Sequence, residues 1–228
     1  MKRISSILII IILATASTVS AQDAGQMWIG GSVGFSTNKT TDQLRTNYYK
    51  ILPEIGYVLS ANWGIGLSLG YTHNENNTSY YSTNDNSLKY TLRKDNGFTV
   101  NPFVRYSFLK GDLGSMFVDG GIDYTYSKTK LDDKSDISSY YKDYSQKNNT
   151  FGVGFRPPGV ALKISDKVVL TAKYGFIGYW YNKYTISTSP WDYGNGNSQT
   201  ENKEDHKTNS FQLDFDFRQA LFGVNFIF

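Results

Sequence analysis

Apolar side chains alternate with small or polar ones along eight stretches of this chain, each of roughly ten residues, and a period of two predicts β-strands. In the first, Met27 to Ser36, Met27, Ile29, Val33 and Phe35 share one parity and Gly30, Ser32 and Gly34 the other. In the second, Tyr49 to Leu59, Ile51, Pro53, Ile55, Tyr57 and Leu59 oppose Glu54, Gly56 and Val58. The third, Trp63 to His73, sets Ile65, Leu67, Leu69 and Tyr71 against Gly64, Gly66, Ser68, Gly70 and Thr72. The fourth and fifth, Gly97 to Phe108 and Ser115 to Ser127, carry Arg105, Asp119 and Asp123 on the face away from their apolar set. Small and charged residues on one side and apolar ones on the other fit strands between lipid and a crowded interior.

The last three stretches are less regular. In the sixth, Phe151 to Ile164, Phe151, Val153 and Phe155 give way after Pro157-Pro158 to Val160, Leu162 and Ile164 on the other parity. This predicts a bulge, because one extra residue exchanges the two faces. The seventh, Lys167 to Trp180, is read with Val168, Leu170, Ala172, Tyr174, Phe176 and Trp180 outward and Thr171, Lys173 and Gly175 inward. The eighth runs from Phe211 to Phe228 with a second parity reset near Ala220.

The connectors alternate in length. Ser60 to Asn62, Leu109 to Gly114 and Ser165 to Asp166 are short, whereas Thr37 to Tyr48, Asn74 to Asn96, Lys128 to Thr150 and Tyr181 to Ser210 are long. In hydrocarbon each strand must pair on both edges. The pattern therefore predicts an all-β, eight-stranded antiparallel transmembrane β-barrel with short periplasmic turns and long extracellular loops. Trp28, Tyr57, Trp63 and Phe108 near the turn end, and Tyr71, Tyr126 and Trp180 near the loop end, are read as two aromatic belts.

The N-terminus and composition narrow this further. Lys2 and Arg3, an apolar run from Ile7 to Ala14 and the small residues Val19-Ser20-Ala21 predict a signal peptide over 1–21, leaving 22–228 as the barrel. Loss of Lys2 and Arg3 takes the net charge from +3 to about +1, which with export argues against nucleic-acid binding. Absence of cysteine excludes disulfides and thiolate metal sites.

Pro53-Glu54-Ile55-Gly56-Tyr57, Trp63 to Tyr71, Pro102-Phe103-Val104-Arg105-Tyr106 and the terminal Leu221 to Phe228 resemble the small outer-membrane barrels of the OmpX-like and OmpA-like transmembrane-domain class, Bacteroidetes type. The resemblance implies the bacterial outer membrane, a monomer among lipid and lipopolysaccharide, and Phe228 as part of the signal read by the outer-membrane assembly machinery.

Three groups of residues are candidates for function. The inward charges Glu54, Arg105, Asp119, Asp123, Arg156 and Lys173 have mixed signs, which suits an internal ion-pair network better than a selective pore, the channel reading being the alternative. Tyr80, Tyr81, Tyr90, Tyr140, Tyr141, Tyr144, Tyr184, Trp191 and Tyr193 in the long connectors suit recognition of extracellular protein or glycan. The plainer reading is that they are strand tips paired in a projecting sheet. His73, near the outer rim, is the one candidate for lipid-modifying chemistry, but no motif names a reaction, and His206 lies in a charged, solvated stretch. Asp132, Asp133 and Asp136 lack Ca²⁺-loop spacing. Neither an enzyme nor a cofactor is expected.

Overall fold

A computed structural model describes residues 24–39, 44–82, 87–131, 141–190, 202–214 and 220–228. The predicted signal peptide, Tyr140, Trp191, Tyr193 and the Asp132, Asp133 and Asp136 cluster lie outside these residues. The strands are β1 (Met27–Lys39), β2 (Arg45–Val58), β3 (Trp63–Ser82), β4 (Ser87–Gly111), β5 (Gly114–Leu131), β6 (Tyr141–Phe155), β7 (Gly159–Ser165), β8 (Val168–Lys173), β9 (Phe176–Pro190), β10 (Asn202–Asp214) and β11 (Leu221–Ile227).

The expected eight-stranded barrel is corrected by this count. The described residues form one eleven-stranded antiparallel sheet, in the order β10-β9-β6-β5-β4-β3-β2-β1-β11-β8-β7, curled into a partial barrel-like ring by the further pairing of β5 with β7. The difference lies in the last three predicted strands, each of which is divided. Pro157-Pro158, which can donate no backbone N–H, separates β6 from β7. Tyr174 and Gly175, the latter at φ +68°, separate β8 from β9. Among the described residues the eighth predicted strand is represented by β10, ending at Asp214, and β11, starting at Leu221.

The divisions redirect pairing. β5 pairs with β7 through Gly114 to Phe117 and with β6 from Gly120 onward, and the Arg156 N–H donates to the Asp119 carbonyl at 2.8 Å across the junction. β7 then joins β8, and β6 joins β9. Among the described residues, β1 pairs with β11 only from Trp28 to Val33, and β10 pairs with β9 alone. The circuit of pairings therefore closes at the turn end of the sheet and continues at the other end as a flank of β6, β9 and β10.

The connectors are also shorter than expected. β3 and β4 pair without interruption from Trp63 opposite Tyr106 to Ser82 opposite Ser87, so most of the predicted loop there is hairpin. Thr and Tyr pair well across strands without needing an apolar face, which is why a polar stretch can still be sheet.

Side-chain direction follows parity through β1 to β5. Ile29, Ile51, Ile55, Ile65, Leu67, Leu69, Phe98, Val104 and Ile122 are exposed, an apolar belt stable only where the surroundings are lipid. Inside, Trp28, Val58, Phe103 and Ile227 form a buried cluster. Trp28 thus leaves the predicted belt: it is 1% exposed and points into the ring. It lies opposite Gly56 in register, and a Cβ on Gly56 would fall inside its indole. Gly56→Ala is expected to cost about 1–3 kcal/mol by overpacking. Recovery of that loss in Trp28→Leu/Gly56→Ala, read by urea unfolding, checks the contact.

β9 carries a second reversal. Beyond Gly175, Phe176 and Gly178 are buried while Tyr179 and Tyr181 are exposed, so Phe176 and Trp180 turn inward instead of outward. Their rings meet at 4.7 Å, and Trp180 covers the face of Gly152.

Candidate functional site

β2, β4, β5 and β8 bring four of the six predicted inward charges together. Each sits on the inward parity of its strand, and in β2, β4 and β5 the same face carries Gly56, Ser107 or Gly121 on one side of the charge and Leu52, Phe103 or Phe117 on the other. Glu54 Oε1 accepts hydrogen bonds from Trp28 Nε1 at 2.9 Å and Arg105 Nη2 at 3.2 Å; its Oε2 accepts from Lys173 Nζ at 2.9 Å and Ser68 Oγ at 3.5 Å. Arg105 donates to both oxygens of Asp119, from Nε at 2.7 Å and Nη2 at 2.8 Å, and Lys173 Nζ stands 3.6 Å from Asp119 Oδ2. The Arg105 side chain, 10% exposed, is the most accessible of the four.

The cluster is self-neutralising. Two carboxylates face a guanidinium and an ammonium, and the forked Arg105 contact has the bidentate form that strengthens such pairs. The Arg105 guanidinium carbon also stands 4.2 Å from the Phe117 ring centroid and 5.1 Å from that of Phe103. Charges in this setting are tolerated because each is paired and hydrogen-bonded.

Asp123 and Arg156 form a separate pair nearer the loop end. Arg156 Nη2 donates to Asp123 Oδ1 at 2.9 Å and Nη1 to Asn101 Oδ1 at 3.4 Å; the Asn101 amide donates to the Ile122 carbonyl at 2.8 Å. Trp28 and Lys50 stand outside the predicted inward set, although Trp28 shares parity with Gly30 and Ser32, and Lys50 with Glu54. Strict counting along β1 and β2 finds both.

The remaining candidates are dispersed. Tyr80, Tyr81, Tyr90 and Tyr141 have backbones in β3, β4 and β6, but their side chains are outside the described set. Tyr144 donates to Gln146 Oε1 at 3.3 Å, and Tyr184 stacks on His206 at 4.9 Å, so both contact neighbours within the projecting sheet. His206 therefore belongs to β10 and not to a loop. His73 stacks on Tyr49 at 4.7 Å, with Nδ1 2.7 Å from Asn96 Oδ1 and Nε2 3.4 Å from Glu75. Ser68 is inside, committed to Glu54, and does not complete a catalytic set with His73. No group of three or more His, Asp or Glu suited to a metal occurs among the described residues. Phe228 exchanges backbone hydrogen bonds with Met27 while its side chain stays 73% exposed.

The flank contains an exposed Lys183–Asp205 pair outside the apolar band. Asp205 Oδ1 accepts from Thr185 Oγ1 at 2.7 Å and Asp205 Oδ2 from Lys183 Nζ at 2.9 Å. The Thr185 bond first, then Lys183, hold the Asp205 carboxyl below its usual range; the same carboxylate raises the Lys183 ammonium. A depressed carboxyl contributes stability above its unfolded pKa and loses it as pH falls through the folded one. A raised ammonium loses its contribution only as pH climbs past the raised value. Amide protection across β9 and β10, taken relative to the intrinsic exchange rate at each pH, is therefore expected to fall in acid and with salt, the pair being exposed. Asp205→Asn should reduce that fall, with the neighbouring Glu204–His206 contact at 3.6 Å left in place; hydrogen exchange measured at several pH values checks it.

The family model described as outer membrane protein beta-barrel domain matches residues 6–218. Among solved structures, the outer membrane protein OprG from Pseudomonas aeruginosa aligns with a TM-score of 0.56 at 10% identity, covering 92% of this chain and 99% of that one. A major outer membrane protein from Thermus thermophilus aligns with a TM-score of 0.56 at 13% identity, covering 90% and 100%. At these identities the likeness is one of fold. No curated protein sequence matches the chain.

Proposed function

The chain belongs to the outer membrane protein beta-barrel domain family, and from that premise we propose a structural, surface-presenting protein whose interior is sealed by side chains. Its location is the outer membrane, and its role is non-enzymatic. The observation that carries the sealed interior is the reach of the charge cluster. Glu54 of β2 contacts Lys173 of β8 across β1 and β11, and Arg105 of β4 across β3, while Lys173 meets Asp119 of β5 across β7. Bonds that cross the ring in three directions, backed by Trp28, Phe103 and Phe117, leave little path for ions.

The presenting role is supported by the projecting hairpins and by the flank, where Tyr184 and His206 stand above the apolar band. Its partners are lipid and lipopolysaccharide around the belt, the assembly machinery through Phe228, and an extracellular protein or glycan at the tips. Export through a signal peptide at 1–21, a monomeric state and the finer likeness to the OmpX-like and OmpA-like class belong to the same proposal.

Planar-bilayer recording of the purified, folded protein tests the seal. No stable unitary conductance is expected from the wild-type protein, whereas reproducible single-channel steps would overturn the sealed interior in favour of the channel reading. Cell-surface binding lost on shortening the β3–β4 or β9–β10 hairpin, with the ring still folded, tests presentation.

A further inference from the structure

One layer above the neutral cluster, the interior opens into a cavity of about 200 Å³ whose lining includes Tyr48, Lys50, Asp123, Arg156, Phe176 and Trp180. Lys50 and Asp123 lie four residues nearer the loop end than Glu54 and Asp119 on the same strands. The cavity sits where the divisions beside Pro157-Pro158 and Gly175 turn β6 and β9 away from β7 and β8.

Its polar groups are incompletely matched. Asp123 is 3% exposed, and its Oδ1 is taken by Arg156, yet its Oδ2 is buried with no hydrogen-bond partner. Trp180 Nε1 is likewise buried without an acceptor. Lys50 makes no hydrogen bond or ion pair among the described residues, and the charges acting on it are those of Arg156, Asp123 and Lys173. Since Lys173 is already paired with Glu54, and Arg156 with Asp123, Lys50 is left without a contacting counter-ion among the described residues. An unpaired charge in such a place is costly, and an anion beside it offsets that cost.

We propose that this cavity binds a small hydroxylated monocarboxylate of the sugar-acid class, with its carboxylate on Lys50 and Trp180 and a hydroxyl on Asp123 Oδ2. The three unmatched groups specify this chemistry. Lys50 and Trp180 can only donate, so they call for an acceptor carrying negative charge. Asp123 Oδ2 can only accept, so it calls for a donor on the same ligand. Tyr48, Phe176 and Trp180 offer ring faces to the C–H surface of a compact carbon skeleton. Inorganic phosphate has no such skeleton and brings excess negative charge to Asp123, and a neutral sugar leaves Lys50 unmatched.

Calorimetric titration of the full, detergent-folded protein with glucuronate tests this, with glucose and inorganic phosphate as comparisons. Saturable binding of one glucuronate is expected, at least ten-fold tighter than either comparison. Lys50→Met should weaken it at least ten-fold, and Lys163→Met, on the turn side, should leave it unchanged. If Lys50→Met loses the heat-dependent mobility shift of the folded ring, Trp180→Phe takes its place with an expected several-fold loss. No saturable glucuronate binding, equal binding of glucose or phosphate, or full affinity in a folded Lys50 or Trp180 variant would overturn the proposal. The conductance experiment reads the cluster below and is independent of this outcome.

Discussion

Replacing Arg105 by leucine is expected to lower the unfolding free energy by about 3–5 kcal/mol, the range for breaking a buried ion pair by removing one partner. The loss comes from what remains. Glu54 and Asp119 would keep their buried carboxylates with Lys173 as the one cation between them, and Asp119 would lose both of its 2.7–2.8 Å donors. Arg105→Leu/Glu54→Gln removes one charge of each sign and should recover part of the loss, because the amide oxygen introduced in place of the Glu54 carboxylate could still accept from Trp28. Trp28→Phe, which takes away one neutral donor, should cost much less, about 1–3 kcal/mol. Urea unfolding of the folded protein in detergent, followed by the mobility shift, gives all three values. An Arg105→Leu cost below about 1 kcal/mol would mean that the cluster is hydrated, and the sealed interior would fall with it.

The cluster also marks how far the sequence could be read. Parity alone put Glu54, Arg105, Asp119 and Lys173 on the inner face, since each stands opposite in parity to the apolar set of its own strand, although Leu52, Val58, Phe103 and Phe117 also turn inward. Which charge meets which is a matter of register. Arg105 and Asp119 stand directly opposite on neighbouring strands, but Glu54 and Lys173 are 119 residues apart and meet only because the ring curls. Nothing local to either residue encodes that.

The misreadings share a physical origin. Placing Trp28 and Trp180 in belts gives aromatic character more weight than packing. For Trp28 the alternation with Ile29 already points inward, and Gly56 opposite supplies the space. For Trp180 the alternation itself misleads, because Gly175 adopts a positive φ and exchanges the faces beyond it. A lone glycine in a strand gives no warning of this, whereas Pro157-Pro158 removes two adjacent donors and is visible at once. The strand count fails for the same reason: period two reports faces, and it is silent on where the backbone ladder changes partner. In the projecting hairpins the polar composition conceals sheet, since above the membrane neither face needs an apolar stripe.

Leu67→Arg is the other change expected to be large, at about 2–4 kcal/mol of destabilisation in a lipid bilayer. Leu67 is exposed on β3, opposite Ile55 and Pro102, midway between Trp63 at the turn end and His73 near the loop end. A guanidinium there must stand in hydrocarbon. Phe35 is more exposed still, at 78%, but it pairs with Tyr49, which pairs with His73 at the level where polar side chains begin. Phe35→Arg can reach the headgroups and should cost no more than about 1 kcal/mol. In water the order would be different, since both positions are open and neither arginine would be desolvated. Unfolding titrations of the two variants in phospholipid vesicles therefore read the depth of the apolar belt directly. Equal costs at Leu67 and Phe35 would show that the exposed stripe of β1 to β5 does not face lipid, and would remove the basis for placing the ring across the membrane.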